Sequence, residues 1–208
     1  MTLDEFEALV LSQQPASKPW EPTAAVPYDF ESRKLAEGRH PQLILQHLTP
    51  CDDADILDYG CGPDGHLVRL LNEVIAGGPE CLVTVKGYDP QARPGSGCQS
   101  WSPAQIFDLV ICREVLEHLT VREIQRTVRE LCRLSFRLVY VTTRFHPAPQ
   151  SLLDVATSDD LDPTHISLCA QDFIRMLFVL EGFKRRADLE QRMDWQQKGR
   201  CLVYERVV

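Results

Sequence analysis

No apolar run in this sequence approaches the roughly 20 residues needed to cross a bilayer, and no two of its cysteines are spaced as C-x-x-C. The first absence removes a membrane-spanning helix from consideration. The second removes the usual zinc and thioredoxin-type arrangements, so no metal centre is expected. Basic residues are also in short supply: 22 Lys and Arg stand against 30 Asp and Glu, a formal charge of -8. Binding along a nucleic-acid backbone rests on a basic surface, so this balance argues against nucleic acid as a partner. The only short basic run, Lys184–Arg186, reads as a solvated face. There is no internal repeat and no sign of a second domain. The opening M-T-L-D-E-F carries acids where a secretory signal would carry bases, so a cytoplasmic protein without a targeting segment is expected.

What is present suits one soluble α/β domain: 208 residues, 44% hydrophobic and 25% charged. The eight cysteines are scattered. Cys81, Cys112 and Cys201 fall inside apolar runs, which suits buried, reduced thiols. Residues 1–27 read as a short helix and a Pro-rich lead, with Trp20, Tyr28 and Phe30 favouring a packed lid over a tail. A helical stretch over Glu31–Leu48 is divided by Gly38 and Pro41.

Strands and helices then alternate. Strands are expected at Asp55–Tyr59, Leu82–Tyr88, Ile106–Cys112 and Leu138–Thr142, and a helix over Gly65–Ile75. A second helix is marked by the capping-box spacing of Thr120 and Glu123 and by an apolar face of Val121, Ile124, Val128 and Leu131. A long turn-rich segment, Arg144–Pro163, precedes a helix carrying Phe173, Met176, Leu177 and Leu180. Phe183–Ala187 and Arg200–Val207 read as an antiparallel pair joined by a polar loop. The expected fold is α/β, a doubly wound Rossmann-like and mostly parallel sheet with an antiparallel C-terminal strand and a shortened third-strand region. Within one domain the parts are a lid or tail (1–30), a cofactor-binding core (31–142), a substrate-side loop (143–167) and a C-terminal helix and strand pair (168–208).

Ligands of such sheets bind beyond the carboxyl ends of the strands. After the first strand comes D-Y-G-C-G-P-D-G-H, Asp58–His66, which literally satisfies G-x-G-x-x-G. That pattern alone is weak, because several nucleotide-containing ligands share it. After the second strand comes Asp89, 24 residues past Gly65 and suitably placed for ribose hydroxyls. Asp64 stands at the expected helix start, where its carboxylate competes for the amides that a pyrophosphate would use. Asp58 adds negative charge that suits an ammonium group. The ligand so described is an adenosine joined to something cationic or zwitterionic.

Three stretches together, D-Y-G-C-G-P at Asp58–Pro63, G-Y-D-P at Gly87–Pro90 and F-D-L-V-I-C-R-E-V-L-E-H-L at Phe107–Leu119, resemble the class I S-adenosylmethionine-dependent methyltransferases, small-molecule type. D-P-T-H-I at Asp162–Ile166 is a looser match. The resemblance implies S-adenosylmethionine as cofactor, with Asp58, Gly60, Cys61 and Gly62 along its methionine half. It further implies Asp89 on the ribose, Arg113 beside the cofactor, and Glu117-His118 opening the next helix.

The chain departs from the pattern in two places. Asp64 stands where a third glycine is usual, and only seventeen residues, none acidic, separate Asp89 from Phe107. Ser100 or Trp101 is therefore expected near the adenine. His146 and His165, in or beside the long loop, are the candidates for a general base if the acceptor must lose a proton. The expected activity is methyl transfer to a small or medium-sized acceptor. A catalytically weak methyltransferase-like scaffold is one alternative. An NAD(P)-dependent oxidoreductase is another, against which stand Asp64 and the lack of a Y-x-x-x-K pair. The oligomeric state is open.

Overall fold

A computed structural model of the chain describes residues 37–49, 53–78, 82–100, 104–145, 153–154, 165–196 and 198–207, with Ala8 and Lys34. The expected N-terminal helix and lid, Trp101, His146 and nearly all of the long loop lie outside these residues.

The seven-stranded sheet is built around nearly continuous apolar strands, buried on both faces. Its strands are β1 (Asp53–Tyr59), β2 (Leu82–Tyr88), β3 (Cys98–Gln99), β4 (Phe107–Arg113), β5 (Ser135–Thr142), β8 (Phe183–Arg185) and β9 (Cys201–Arg206), in spatial order β3-β2-β1-β4-β5-β9-β8. β3, β2, β1, β4 and β5 run parallel, whereas β9 is antiparallel to both β5 and β8. A separate two-strand ladder joins β6 (Leu153–Asp154) to β7 (Leu168–Cys169). The helices are α1 (His40–Leu48), α2 (His66–Ala76), α3 (Val121–Leu134), α4 (Gln171–Leu180) and α5 (Ala187–Met193).

Successive strand residues point to opposite faces, so each central strand feeds two cores. Ile56, Leu109, Ile111, Leu138, Tyr140 and Val203 meet α1, α2 and α5 through Ile44, Leu48, Leu67, Leu71, Leu189 and Met193. Leu57, Val110, Cys112, Val139, Val141, Leu202 and Tyr204 meet α3 and α4 through Ile124, Val128, Leu131, Phe173, Ile174 and Phe178. Fully burying one such aliphatic side chain is worth about 1.5–3 kcal/mol, and the stacked pair Phe178–Tyr204, 4.3 Å between centroids, adds shape to the second core. This is the expected doubly wound sheet with its antiparallel C-terminal strand. The third-strand region is reduced to two residues, as the loop-like composition there implied.

Local signals explain most boundaries. Thr120 accepts from the Glu123 amide at 3.4 Å, and Glu123 accepts from the Thr120 amide at 2.8 Å, completing the capping box that starts α3. Pro41 lies in the first turn of α1.

Three expectations need correction. The polar loop between the last two strands contains α5, a helix the sequence disguises because only Leu189 and Met193, one turn apart, face the core beside a buried Glu190. Glu117 and His118 do not open α3; they sit in a separate 3-10 turn, Leu116–His118, because Thr120 caps the helix two residues later. β5 starts at Ser135 rather than Leu138, since Arg206 ties back the Ser135 carbonyl at 2.7 Å and Ser135 pairs with Phe107. The run Lys184–Arg186 lies toward solvent as expected, its cations pairing there with Glu205, Glu190 and Asp188.

Candidate functional site

The carboxyl ends of β1, β2 and β4 open into one cleft of about 780 Å³. Its floor is the turn after β1. Gly60 and Gly62 have φ of 78° and 74°, a region that side chains other than glycine rarely adopt. A Cβ on Gly60 would stand 2.4 Å from Val115 Cγ2, so the turn packs there on bare backbone. The amides of Gly60 and Cys61 donate to the Tyr88 carbonyl at 2.7 and 3.1 Å, which pins the turn to the end of β2.

Two carboxylates flank this turn. Asp58, at the end of β1, lines the cleft yet is only 3% exposed. Burial pushes its carboxyl up to about 7; the Arg113 guanidinium opposes that rise, while Glu37 and Asp89 add to it. Asp89, just past β2, accepts from the Gly62 amide at 3.0 Å through Oδ2 and from the Gln91 amide at 2.8 Å through Oδ1. Those bonds fix the side chain without consuming all of its lone pairs.

Arg113 closes the inner wall at the end of β4. It donates through Nη2 to Glu37 at 3.0 Å, while its buried Nε has no hydrogen-bond partner among the described residues. Burial would raise the Glu37 carboxyl, but Arg113 and the hydrogen bonds from His40 and Arg113 outweigh it and hold the group at about 2. Burial and Arg113 keep the His40 pKa below its ordinary value. A neutral ring then donates from Nδ1 to Glu37 at 3.1 Å and accepts at Nε2 from Tyr140 Oη at 2.8 Å. α1 is thereby bolted to the centre of the sheet through the residue that fixes Arg113.

The opposite wall holds His118 and His165, ring centroids 4.8 Å apart, with Glu114, Arg126 and Arg144. Glu114 has φ of 51°, the one non-glycine with positive φ among the described residues. Glu117 is wholly buried beneath this wall. Its carbonyl accepts from the amides of Ile166 and Ser167 at 2.8 and 3.1 Å, and its carboxyl accepts from Thr143 Oγ1 at 2.8 Å. Burial, reinforced by Glu114, drives its pKa well above the usual carboxylate range. Glu117 thus staples the 3-10 turn to the segment that carries His165.

Of the residues singled out in the sequence, Asp58, Gly60, Cys61, Gly62, Asp89, Arg113 and His165 all line this cleft. Trp101 and His146 lie outside the described residues, and Ser100 is exposed and does not line the cleft. Asp64 differs from expectation. It does not cap α2, whose first residue follows Gly65 in the left-handed region without a side-chain cap; it pairs instead with Arg93 at 3.1 Å. Glu37, His66, Tyr59 and Tyr88 also line the cleft and were not singled out. His66, next to the glycine turn, was open to detection by position; Glu37, far upstream in sequence, was not.

A family model described as a methyltransferase domain matches residues 30–187. No curated protein sequence matches the chain. Among solved structures, magnesium protoporphyrin IX methyltransferase of Synechocystis PCC 6803, with bound SAH, superposes with a TM-score of 0.53 at 16% identity, over 88% of this chain and 89% of that one. The 1,6-didemethyltoxoflavin-N1-methyltransferase of Burkholderia thailandensis, with bound 1,6-didemethyltoxoflavin and S-adenosylhomocysteine, gives 0.53 at 12% identity over 91% and 94%. The cyclase SpnF gives 0.52 at 13% identity over 99% and 93%. These likenesses are of fold, and the fold they share hosts more than one reaction.

Proposed function

The chain belongs to the methyltransferase domain family, and on that footing we propose that it transfers a methyl group from S-adenosylmethionine to a small or medium-sized acceptor. One observation carries the reading. Asp58 and Asp89 face the same cleft from adjacent strand ends, on either side of a bare-backbone glycine turn. That pairing suits a ligand with an ammonium at one end and a ribose diol in the middle, and is ill suited to a pyrophosphate.

When bound, S-adenosylmethionine supplies a methyl group activated on a sulfonium. The chain's own groups would act around it. Asp58 would receive an ammonium, and Arg113, whose buried Nε has no partner among the described residues, would offer a donor to a carboxylate. Asp89 accepts from vicinal hydroxyls, and Gly60–Gly62 allow close approach. Methyl transfer is an in-line displacement, so alignment and exclusion of water supply most of the acceleration. His165, which lines the opposite wall, is our candidate to take a proton from an acceptor that must lose one. We further read the acceptor as a small molecule rather than nucleic acid, from the charge of -8. A cytoplasmic setting belongs to the same reading, which the free thiols suit.

Calorimetry tests this directly. S-adenosylhomocysteine is expected to bind and NAD to show no heat, with Asp89→Asn weakening S-adenosylhomocysteine by about tenfold or more. Failure to bind at millimolar concentration would sink the reading. With an acceptor in hand, single-turnover transfer by His165→Asn asks whether that ring moves a proton.

A further inference from the structure

Two sulfurs meet behind the glycine turn. Cys61 lies between Gly60 and Gly62, is 7% exposed and lines the cleft. Cys98 lies in β3, half-buried, opposite Gly87 in the β2–β3 ladder. A Cβ built on Gly87 would stand 2.5 Å from Cys98 Sγ and 2.9 Å from Cys61 Sγ. Gly87 therefore leaves the space into which both sulfurs project, one from each side. The Cys61 thiol donates to the Gly62 carbonyl at 3.4 Å and the Cys98 thiol to the Ser96 carbonyl at 3.9 Å; the proximity of the two sulfurs raises the Cys61 pKa and lowers that of Cys98. The other described cysteines find different neighbours: Cys201 faces Tyr140 Oη at 3.7 Å, while Cys112, Cys132 and Cys169 are buried in the core.

We propose that Cys61 and Cys98 are a peroxide-sensitive modification site, forming a reversible disulfide that weakens binding in the adjoining cleft. Cys98, the more accessible sulfur, attacks hydrogen peroxide. Its S–O bond forms as the O–O bond breaks, and the released hydroxide leaves as water once protonated. Cys61 then attacks the sulfenic sulfur. The S–S bond forms, the S–O bond breaks, and the departing hydroxide takes the Cys61 proton as a second water. Two thiols are oxidised by two electrons, and one peroxide is reduced to two waters.

The consequence for the cleft follows from bond lengths. A disulfide holds its sulfurs about 2.0 Å apart, far closer than two free thiols can approach. Closing that gap draws Cys61 toward β3 and with it Gly62, whose amide holds Asp89 at 3.0 Å. The turn and the ribose-facing carboxylate would lose their register together.

The test uses the full chain, reduced and then titrated with hydrogen peroxide, alkylated, digested and mapped by mass spectrometry. A Cys61–Cys98 cross-linked peptide should dominate, disappear in Cys98→Ser and in Cys61→Ser, and revert with dithiothreitol. Oxidised protein should bind S-adenosylhomocysteine about tenfold more weakly than reduced protein, and Cys98→Ser should be insensitive to peroxide. Oxidation of Cys98 to its acids without a bridge to Cys61 would overturn the proposal. So would a bridge that leaves affinity within about twofold. Peptide mapping does not depend on the cofactor assigned above, so absence of binding by reduced protein would count against that assignment alone.

Discussion

Asp58→Asn should make the protein more stable and worse at binding its cofactor, and the stability gain should depend on pH. Asp58 is a carboxyl 3% exposed, and burial pushes its pKa from an ordinary 3.8 to about 7. Between those values the folded state holds a proton that the unfolded chain has released, so stability falls as pH rises from about 4 to 7. A difference of roughly three units corresponds to about 4 kcal/mol once Asp58 is ionised in both states. At pH 5 the folded carboxyl is still neutral and the penalty is under about 2 kcal/mol. Asparagine keeps the shape and cannot ionise.

Urea unfolding of both proteins without cofactor, at pH 5, 6.5 and 8, measures the gap. The variant should be favoured by about 4 kcal/mol at pH 8, narrowing to under about 2 kcal/mol at pH 5. A gap that does not change across this range would refute the reasoning, as would a variant less stable at pH 8. S-adenosylhomocysteine should bind the variant about ten- to hundredfold more weakly, the value of a hydrogen bond to a charged group. For the same reason its affinity for the unmodified protein should fall as the pH drops below about 7, where the ligand must find Asp58 already protonated.

Gly60→Ala places a methyl 2.4 Å from Val115 Cγ2 at a φ of 78°, so urea unfolding should show a loss of about 2–4 kcal/mol and calorimetry a loss of binding. Adding Val115→Ala should restore only the steric part of the stability. Glu37→Gln leaves the partly buried Arg113 guanidinium without its carboxylate and should cost about 2–3 kcal/mol at neutral pH. The Glu37 contribution is fully present above its ordinary 4.5 and is lost as the folded pKa of about 2 is crossed, so that deficit should shrink over the same acid range. A deficit independent of pH would assign the loss to packing instead.

The central sheet was legible because its strands are nearly continuous apolar runs between glycines, prolines and acids, and nothing else of that length buries well. The capping box at Thr120 was equally plain, because both reciprocal partners lie within one turn. α5 was obscured because a short helix lying on the core needs only two apolar side chains, Leu189 and Met193, a signal no stronger than that of a loop. In the candidate site, the cleft-lining positions of Asp58 and Asp89 were legible because the rule that ligands sit beyond strand ends points to fixed positions. Asp64 could not be placed, because its choice of Arg93 over the α2 amides is made in the fold. The Glu37–Arg113–His40–Tyr140 connection was beyond reach for the same reason: Glu37 and Tyr140 lie more than a hundred residues apart, and no local pattern pairs them.

β9 lies between β5 and β8, although it follows both in the chain. A chain emerging from the ribosome that has not yet delivered Cys201–Arg206 presents β5 with an open edge along Leu138–Thr142, all five of which end up buried. Such an edge is a template for pairing with other chains. Synthesis therefore passes through a period in which the cofactor-facing half can assemble while the sheet waits, unsealed, for its last strand. Slow translation or a stop codon shortly before residue 201 would lengthen or fix that period.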